Sequence, residues 1–299
     1  MRKIIFLSSF FIKIFALLFM TLDHVGLYLH MQYWNDQSMI LLGNVFRTFG
    51  RLALPLFAFM IVEGVMHTKS IKKYLLRLGM MASLISIVFI VLEYTNIVTG
   101  LESMLRAGNI FLDLTLLAVA IYFIKHPNWK LKFITLLPVA YSILSFVVKG
   151  IETSSQVDIH WFPAFLTMQY DWLTIVLGLG FYSAYLLADL YINITEPTYG
   201  LNKDLWIENG IYRILVNLIA IVLATIIHIL YYLMTYWWPS GIFWDANLQL
   251  WAIISGAFIL FYSGKRGYNA KWFQYGSYLY YPLHIIVIFI LIIIANGGM

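Results

Sequence analysis

Residues Lys13–Leu29 read KIFALLFMTLDHVGLYL, an apolar run with Asp23 and His24 set inside it. A helix rises about 1.5 Å per residue and the hydrocarbon of a bilayer is roughly 30 Å thick, so about 20 apolar residues make a span. Taken out to about 10–31, this stretch reaches that length. Two ionisable side chains two thirds of the way along it are expensive in lipid unless they are paired or wetted. The segment therefore predicts a transmembrane helix, and predicts that other parts of the chain answer its polar groups.

Eight further runs share its character: about 41–66, 74–94, 108–124, 131–149, 172–192, 211–236, 247–262 and 272–295. The expected fold is all-α, a polytopic transmembrane helix bundle of about nine spans, forming a single integral membrane domain over residues 1–299. Residues 157–171 (VDIHWFPAFLTMQYD) are apolar but interrupted by Pro163, and are expected to be interfacial or re-entrant. The whole chain agrees with this class. Its 299 residues are 62% hydrophobic and 11% charged, far from a soluble composition. It has no cysteine, which excludes a disulfide scaffold, a thiolate zinc site and an iron–sulfur centre.

The charge surplus reads as orientation. There are 19 Lys+Arg against 14 Asp+Glu, giving +5. With a cytoplasmic N-terminus and nine spans, the inner segments hold 14 of the 19 basic residues, among them Lys69, Lys72, Lys73, Arg77, Lys203, Lys265 and Arg266. The outer loops hold only Arg106 and Lys149. That is a positive-inside bias, and it puts the C-terminus outside. No nucleic-acid partner is expected; the partner implied by the basic run Lys69–Arg77 is membrane lipid. Arg2-Lys3 precedes the first run without a small-x-small cleavage site, so that run is read as an uncleaved span. The tryptophan-rich loop Trp237–Asn247 suits an interfacial aromatic belt. The expected location is the bacterial cytoplasmic membrane, crossed several times.

Ionisable residues at membrane depth sort by position into two tiers. Asp23, His24, Arg47, Arg51, Asp113 and His228 fall toward the outer half. Glu63, His67, Arg77, Arg213, Lys265, Arg266 and His284 fall toward the cytoplasm. Arg47 and Arg51 are four apart and share a helix face, as do Glu63 and His67. Asp23 and His24 point about 100° apart, so a third group must meet one of them. Two readings stand for the arginines: structural partners of Asp23 or Asp113, or a cationic surface for chemistry. Glu63–His67 is equally a helix-end pair or part of a site, whereas His228 reads as a hydrogen-bonded core histidine. For Asp23-His24 a catalytic or transport role is favoured, because histidine titrates near neutrality and is an efficient general base.

Lys13–Leu29, followed by FRTFGRLALPLFAFMIVEGVMHTKSIKKYLLRL (Phe46–Leu78), resembles the TraX family. That family carries Lys-x-x-Ala…Asp-His-x-Gly and then Arg-x-x-Gly-Arg-Leu-Ala-x-Pro-Leu-Phe-Ala-Phe…Val-Glu-Gly…His-Thr. The resemblance recurs in GNIFLDLTL (Gly108–Leu116), QYDWLTIVL (Gln169–Leu177), SGKRG (Ser263–Gly267) and YLYYPLHIIVI (Tyr278–Ile288). It departs in SLISIVFIVLEYTN (Ser83–Asn96), which lacks the family's acidic-Pro-Phe-Asp stretch, and in the loop 150–171.

The resemblance implies an acetyltransferase acting on the N-terminal amine of a pilin subunit with acetyl-CoA as donor. In outline the chain is also similar to polytopic acyltransferases that O-acetylate surface polysaccharides. On this reading His24 is the general base or acetyl carrier, oriented by Asp23 or Asp113, and Arg47 and Arg51 stabilise the developing oxyanion or neutralise an anionic acceptor. Lys265 and Arg266 hold the donor's phosphates, with Arg77 and Lys72 as alternatives. Tyr281 and His284 line the inner mouth of the donor channel, beside the helix opening that Pro282 makes. Glu63 and His67 contact substrate or that mouth. No metal is expected. The acceptor is a surface protein or an envelope glycan. The competing class is a proton-coupled transporter or flippase using the same Asp, His and Arg groups.

Overall fold

The computed structural model describes residues 5–33, 35–95, 108–155, 159, 161–199, 202–237 and 246–295, and every one of the nine apolar runs is helical in it. The helices are α1 (Ser9–Gln32), α2 (Gln37–Gly50), α3 (Ala53–His67), α4 (Ile71–Thr95), α5 (Ile110–Ile124), α6 (Trp129–Lys132), α7 (Leu136–Ser155), α8 (Trp172–Tyr199), α9 (Lys203–Glu208), α10 (Ile211–Trp237), α11 (Ala246–Gln249), α12 (Gly256–Leu260) and α13 (Lys271–Ala295). Among the described residues six helical stretches are long and apolar enough to cross a membrane: Ser9–His30, Gln37–His67, Ile71–Val91, Trp129–Ser155, Trp172–Glu196 and Ile211–Tyr236. Ile110–Ile124 and Ala246–Leu260 are shorter apolar helices. Outward-facing Leu76, Met80, Val222, Leu230 and Leu283 are all more than half exposed. In water they would be a liability; against lipid they are the expected surface. Arg2, Lys3, Arg106 and most of the loop Trp237–Asn247 lie outside the described residues.

The second run is two helices rather than one, broken at Arg51-Leu52. Pro55 is the cause: it has no N–H to give the Arg51 carbonyl and is accommodated only in the first turn of a new helix. Pro138 stands in the same position at the start of α7, after the 3-10 turn Phe133–Thr135 that joins it to α6. A second 3-10 stretch, Leu250–Ser255, joins α11 to α12.

The chain divides into two compact units. The first comprises residues 1–57, 184–229 and 245–299, and the second 58–183 and 230–244. In the first unit α1 and α2 form an antiparallel hairpin, α2 being capped by Asp36, whose carboxylate accepts from the Ser38 and Met39 amides. The hairpin closes to backbone contact because its facing residues are glycines. A Cβ on Gly26 would fall 2.6 Å from the Gly43 carbonyl oxygen, and one on Gly50 would fall 2.6 Å from the Asp23 Cα. Small residues permit this approach, which in lipid is rewarded by packing rather than by water exclusion. Between α12 and α13 lies the turn Ser263–Gly267, where Gly264 and Gly267 take positive φ. Its Lys265 and Arg266 carbonyls accept from the Ser9 and Phe10 amides, satisfying orphan donors at the start of α1.

The second unit packs Phe59 against Phe181, with Leu117, Ala118 and Ile121 fully buried. Residues 161–171 carry only one short 3-10 turn, Ala164–Leu166. Their backbone is fixed by side chains. Asp113 accepts from the Gln169 and Tyr170 amides at 2.6 and 2.9 Å and from the Thr174 hydroxyl at 2.9 Å. Lys149 donates to the Met168 and Gln169 carbonyls and pairs with Asp171 at 2.5 Å. Ser145 accepts from the Met168 amide, and Ser86 donates to the Phe165 carbonyl. Backbone without regular helix persists where protein groups satisfy it in this way.

Candidate active site

His24 is half-buried in α1, and its Nδ1 lies 2.7 Å from Nε2 of His284 on α13. The two rings are stacked, with centroids 4.9 Å apart. His284 is itself buried, and its Nδ1 lies 2.9 Å from the Tyr280 carbonyl one turn back. The Tyr280 ring stacks on His284 at 5.3 Å, and the Tyr280 hydroxyl is 2.8 Å from that of Thr21. Tyr281 meets both imidazoles edge-on.

One turn of α1 also carries Asp23, whose carboxylate pairs with Arg51 at 3.2 Å. Both side chains are nearly buried, and Gly50 leaves Asp23 the room to meet Arg51. Arg47, also buried, runs its stem over Gly26. Arg51 is thereby held against the residue next to His24 in the chain. Two imidazoles, the rings of Tyr280 and Tyr281 and two guanidiniums thus gather in the first unit. Such a group can take a proton and stabilise an anion in a place that holds little water.

The basic turn stands apart from this level. α1 and α13 both start at Ser263–Gly267 and run on to the histidines. Fifteen residues separate Ser9 from His24 and thirteen separate Lys271 from His284, so the pair lies about 20 Å along the axes from the turn. Lys265 and Arg266 are exposed there. Arg213 reinforces the turn: it packs against Gly264, donates to the Tyr185 hydroxyl at 2.9 Å and lies over the Tyr185 and Tyr262 rings.

These distances correct the two-tier sorting. His284 does not belong with Lys265 and Arg266; it shares the level of His24, and Tyr281 comes with it. The partner of the His24 ring is His284, while Asp23 is engaged with Arg51 and Asp113 lies in the second unit, committed to the 161–171 backbone. Glu63, His67, Lys72 and Arg77 also lie in the second unit. Glu63 is buried and pairs with half-exposed His67 at 3.6 Å, Arg77 is half-buried and Lys72 is exposed. His228 is a core histidine, its Nδ1 bonding the Ala224 carbonyl at 2.7 Å, with Gln249 beside its other nitrogen. The Thr21–Tyr280 bond and the Arg213 stack were not singled out from the sequence. Counting residues from each helix start would have matched His24 with His284.

Helices of spanning length with ionisable groups folded between them define a multi-pass integral membrane protein. The chain belongs to the TraX family, whose model, described as TraX protein, matches residues 8–194, more than half of the sequence. It is also similar to the probable fimbrial assembly protein FimC, serogroup H1, of Dichelobacter nodosus. The two are 26% identical over 292 residues, covering 95% of this chain and 96% of that protein. No solved structure matches.

Proposed function

We propose that the protein is a membrane-embedded acetyltransferase of pilus or cell-envelope assembly. It moves an acetyl group from cytoplasmic acetyl-CoA to an amine or hydroxyl of a surface-destined acceptor, a pilin N-terminus or an envelope glycan. The observation that carries this reading is the His24–His284 imidazole pair, with the Asp23–Arg51 ion pair one residue along the same helix, inside a TraX-family helix bundle. The relative's name, a fimbrial assembly protein, supports a pilus-associated acceptor.

In the proposed reaction, His24 takes the acceptor's proton as the acceptor attacks the thioester carbonyl. Arg51 and Arg47 stabilise the oxyanion, and the expelled thiolate of CoA recovers the proton. Lys265, Arg266 and Arg213 suit the donor's phosphates at the other end of α1, a separation of about 20 Å that an extended pantetheine arm bridges. Closure by the bundle limits hydrolysis of the thioester.

Purified protein in detergent micelles, given acetyl-CoA and a synthetic pilin N-terminal peptide or envelope glycan fragment, tests the reading. Acetyl-CoA should be consumed with a 42-dalton-class mass gain on the acceptor (roughly one acetyl for one hydrogen), and His24→Ala should abolish it without altering thermal unfolding. Absence of acetyl-CoA binding, combined with a proton-coupled flux in proteoliposomes that His24→Ala impairs, would establish the transporter instead.

A further inference from the structure

The hydrogen bonds around the histidine pair have a direction. The Tyr280 carbonyl, 2.9 Å from His284 Nδ1, is an acceptor only, so Nδ1 of His284 carries the hydrogen. A neutral imidazole with a proton on Nδ1 has its lone pair on Nε2. That nitrogen is the one 2.7 Å from His24 Nδ1, so His24 must donate. The chain runs from His24 Nδ1–H to His284 Nε2, and from His284 Nδ1–H to the Tyr280 carbonyl. It leaves the lone pair of His24 on Nε2.

From this geometry we infer that His284 is a positioning residue that sets the tautomer of His24 and makes Nε2 its basic nitrogen. This deepens the acetyltransferase reading and rests on it for its consequence in turnover, but not for the tautomer itself. The device needs no carboxylate: Asp23 is held by Arg51, and the role an acid would fill falls to a second imidazole whose own orientation is fixed by a backbone carbonyl. The Tyr280 ring stacked on His284 and the Thr21 hydroxyl on Tyr280 hold the second imidazole in place. During transfer the acceptor's proton passes to His24 Nε2 as the acceptor bonds to the acetyl carbon. The C–S bond breaks and the proton moves from Nε2 to the thiolate. The Nδ1 proton stays covalently on His24 and hydrogen-bonded to Nε2 of His284, which remains neutral while His24 carries the transient positive charge.

Histidine ¹⁵N chemical shifts of the full-length protein in micelles read the tautomer directly, with the His24 signal assigned through His24→Gln. The wild type should show His24 protonated on Nδ1. His284→Ala should shift His24 to the Nε2-protonated form, and His284→Gln, whose side-chain oxygen can accept, should keep it on Nδ1. In turnover His284→Ala should lower kcat about 100-fold with the KM for acetyl-CoA unchanged, and His284→Gln should recover most of it. A wild-type His24 protonated on Nε2, or a tautomer indifferent to His284→Ala, overturns the inference. The expected shifts in a protein that transfers no acetyl group would leave the positioning role standing and remove only the acetyltransferase reading.

Discussion

Each unit of this protein buries a polar cluster, and the two are built from different partners. In the second unit Asp113 and Lys149 mainly hold backbone, although Lys149 also pairs with Asp171. Both oxygens of Asp113 accept from amides of 169–170, and Lys149 donates to two carbonyls of the same segment. In the first unit the polar groups face other side chains: imidazole on imidazole, carboxylate on guanidinium, hydroxyl on hydroxyl. Backbone partners consume a side chain's hydrogen-bonding capacity to hold a chain path. Side-chain partners leave a ring nitrogen over for something else. Depth alone therefore does not separate a group that holds a chain path from one that leaves a ring nitrogen over.

The sharpest test of this contrast is Asp113→Ala. It strands two half-buried amides and a buried hydroxyl, each worth about 1–3 kcal/mol, so a loss of about 3–5 kcal/mol in stability is expected from thermal unfolding in detergent. On the proposed function, whatever fraction folds should keep the acetyl-transfer rate of the unsubstituted protein. A well-folded, inactive Asp113→Ala protein would break the comparison by moving Asp113 into the chemistry. Lys149→Met comes next, at about 2–4 kcal/mol, because it leaves Asp171 without its cation in a buried place. The double variant with Asp171→Asn should regain part of that loss, a coupling measurable by a double-mutant cycle.

Much of this contrast was visible in the sequence, and the part that was not has a physical reason. Apolar run length points to helices at all nine segments, and among the described residues six helical stretches reach the length that hydrocarbon thickness sets, while Ile110–Ile124 and Ala246–Leu260 fall short of it. The break at Arg51-Leu52 was hidden although Pro55 was in plain view: apolar character continues straight through it, and hydropathy does not register a missing N–H. Asp23, His24, Arg47 and Arg51 stood out as costly residues, and the structure gathers them in one unit. Their pairing did not stand out, since Arg51 meets Asp23 through two glycines whose role is to be absent, and His24 meets a residue 260 positions away. Asp113 was legible as an ionisable residue at membrane depth, and it sits one turn into a helix that Asn109 caps, α5. The segment they hold, 165–171, lies more than fifty residues on and has no periodicity to announce it. GNIFLDLTL and QYDWLTIVL, two stretches of family resemblance, turn out to be bonded to each other.

Gly50→Ala tests the first unit through packing rather than chemistry. The added Cβ would press on the Asp23 backbone and side chain, which cannot swing away as the end of a long side chain would. Overpacking of this kind costs about 1–3 kcal/mol. Unlike Asp113→Ala, it should also cut turnover, since parting α1 from α2 moves Asp23 and Arg51 relative to His24. Equal loss of stability with unchanged turnover would show that the Asp23–Arg51 pair is scaffold, and would bring the two clusters closer in kind.

Thr21→Val has the smallest expected effect and isolates the outermost contact of the histidine relay. The substitution keeps shape and removes the hydroxyl that meets Tyr280 at 2.8 Å. One half-buried, side-chain hydrogen bond is worth about 0.5–1.5 kcal/mol, so stability should hardly move. The Thr21 hydroxyl also has a route to satisfaction in its own helix, through the Leu17 carbonyl, so its absence strands only the Tyr280 hydroxyl, on a half-buried ring. What should change is the freedom of the ring that stacks on His284. Turnover is expected to fall a few-fold, about 1 kcal/mol on the barrier, with the same tautomer at His24. A few-fold loss with the tautomer retained would mean that Tyr280 steadies a relay whose direction is set elsewhere, by the carbonyl. Full activity would confine the relay to the two histidines and the backbone oxygen behind them.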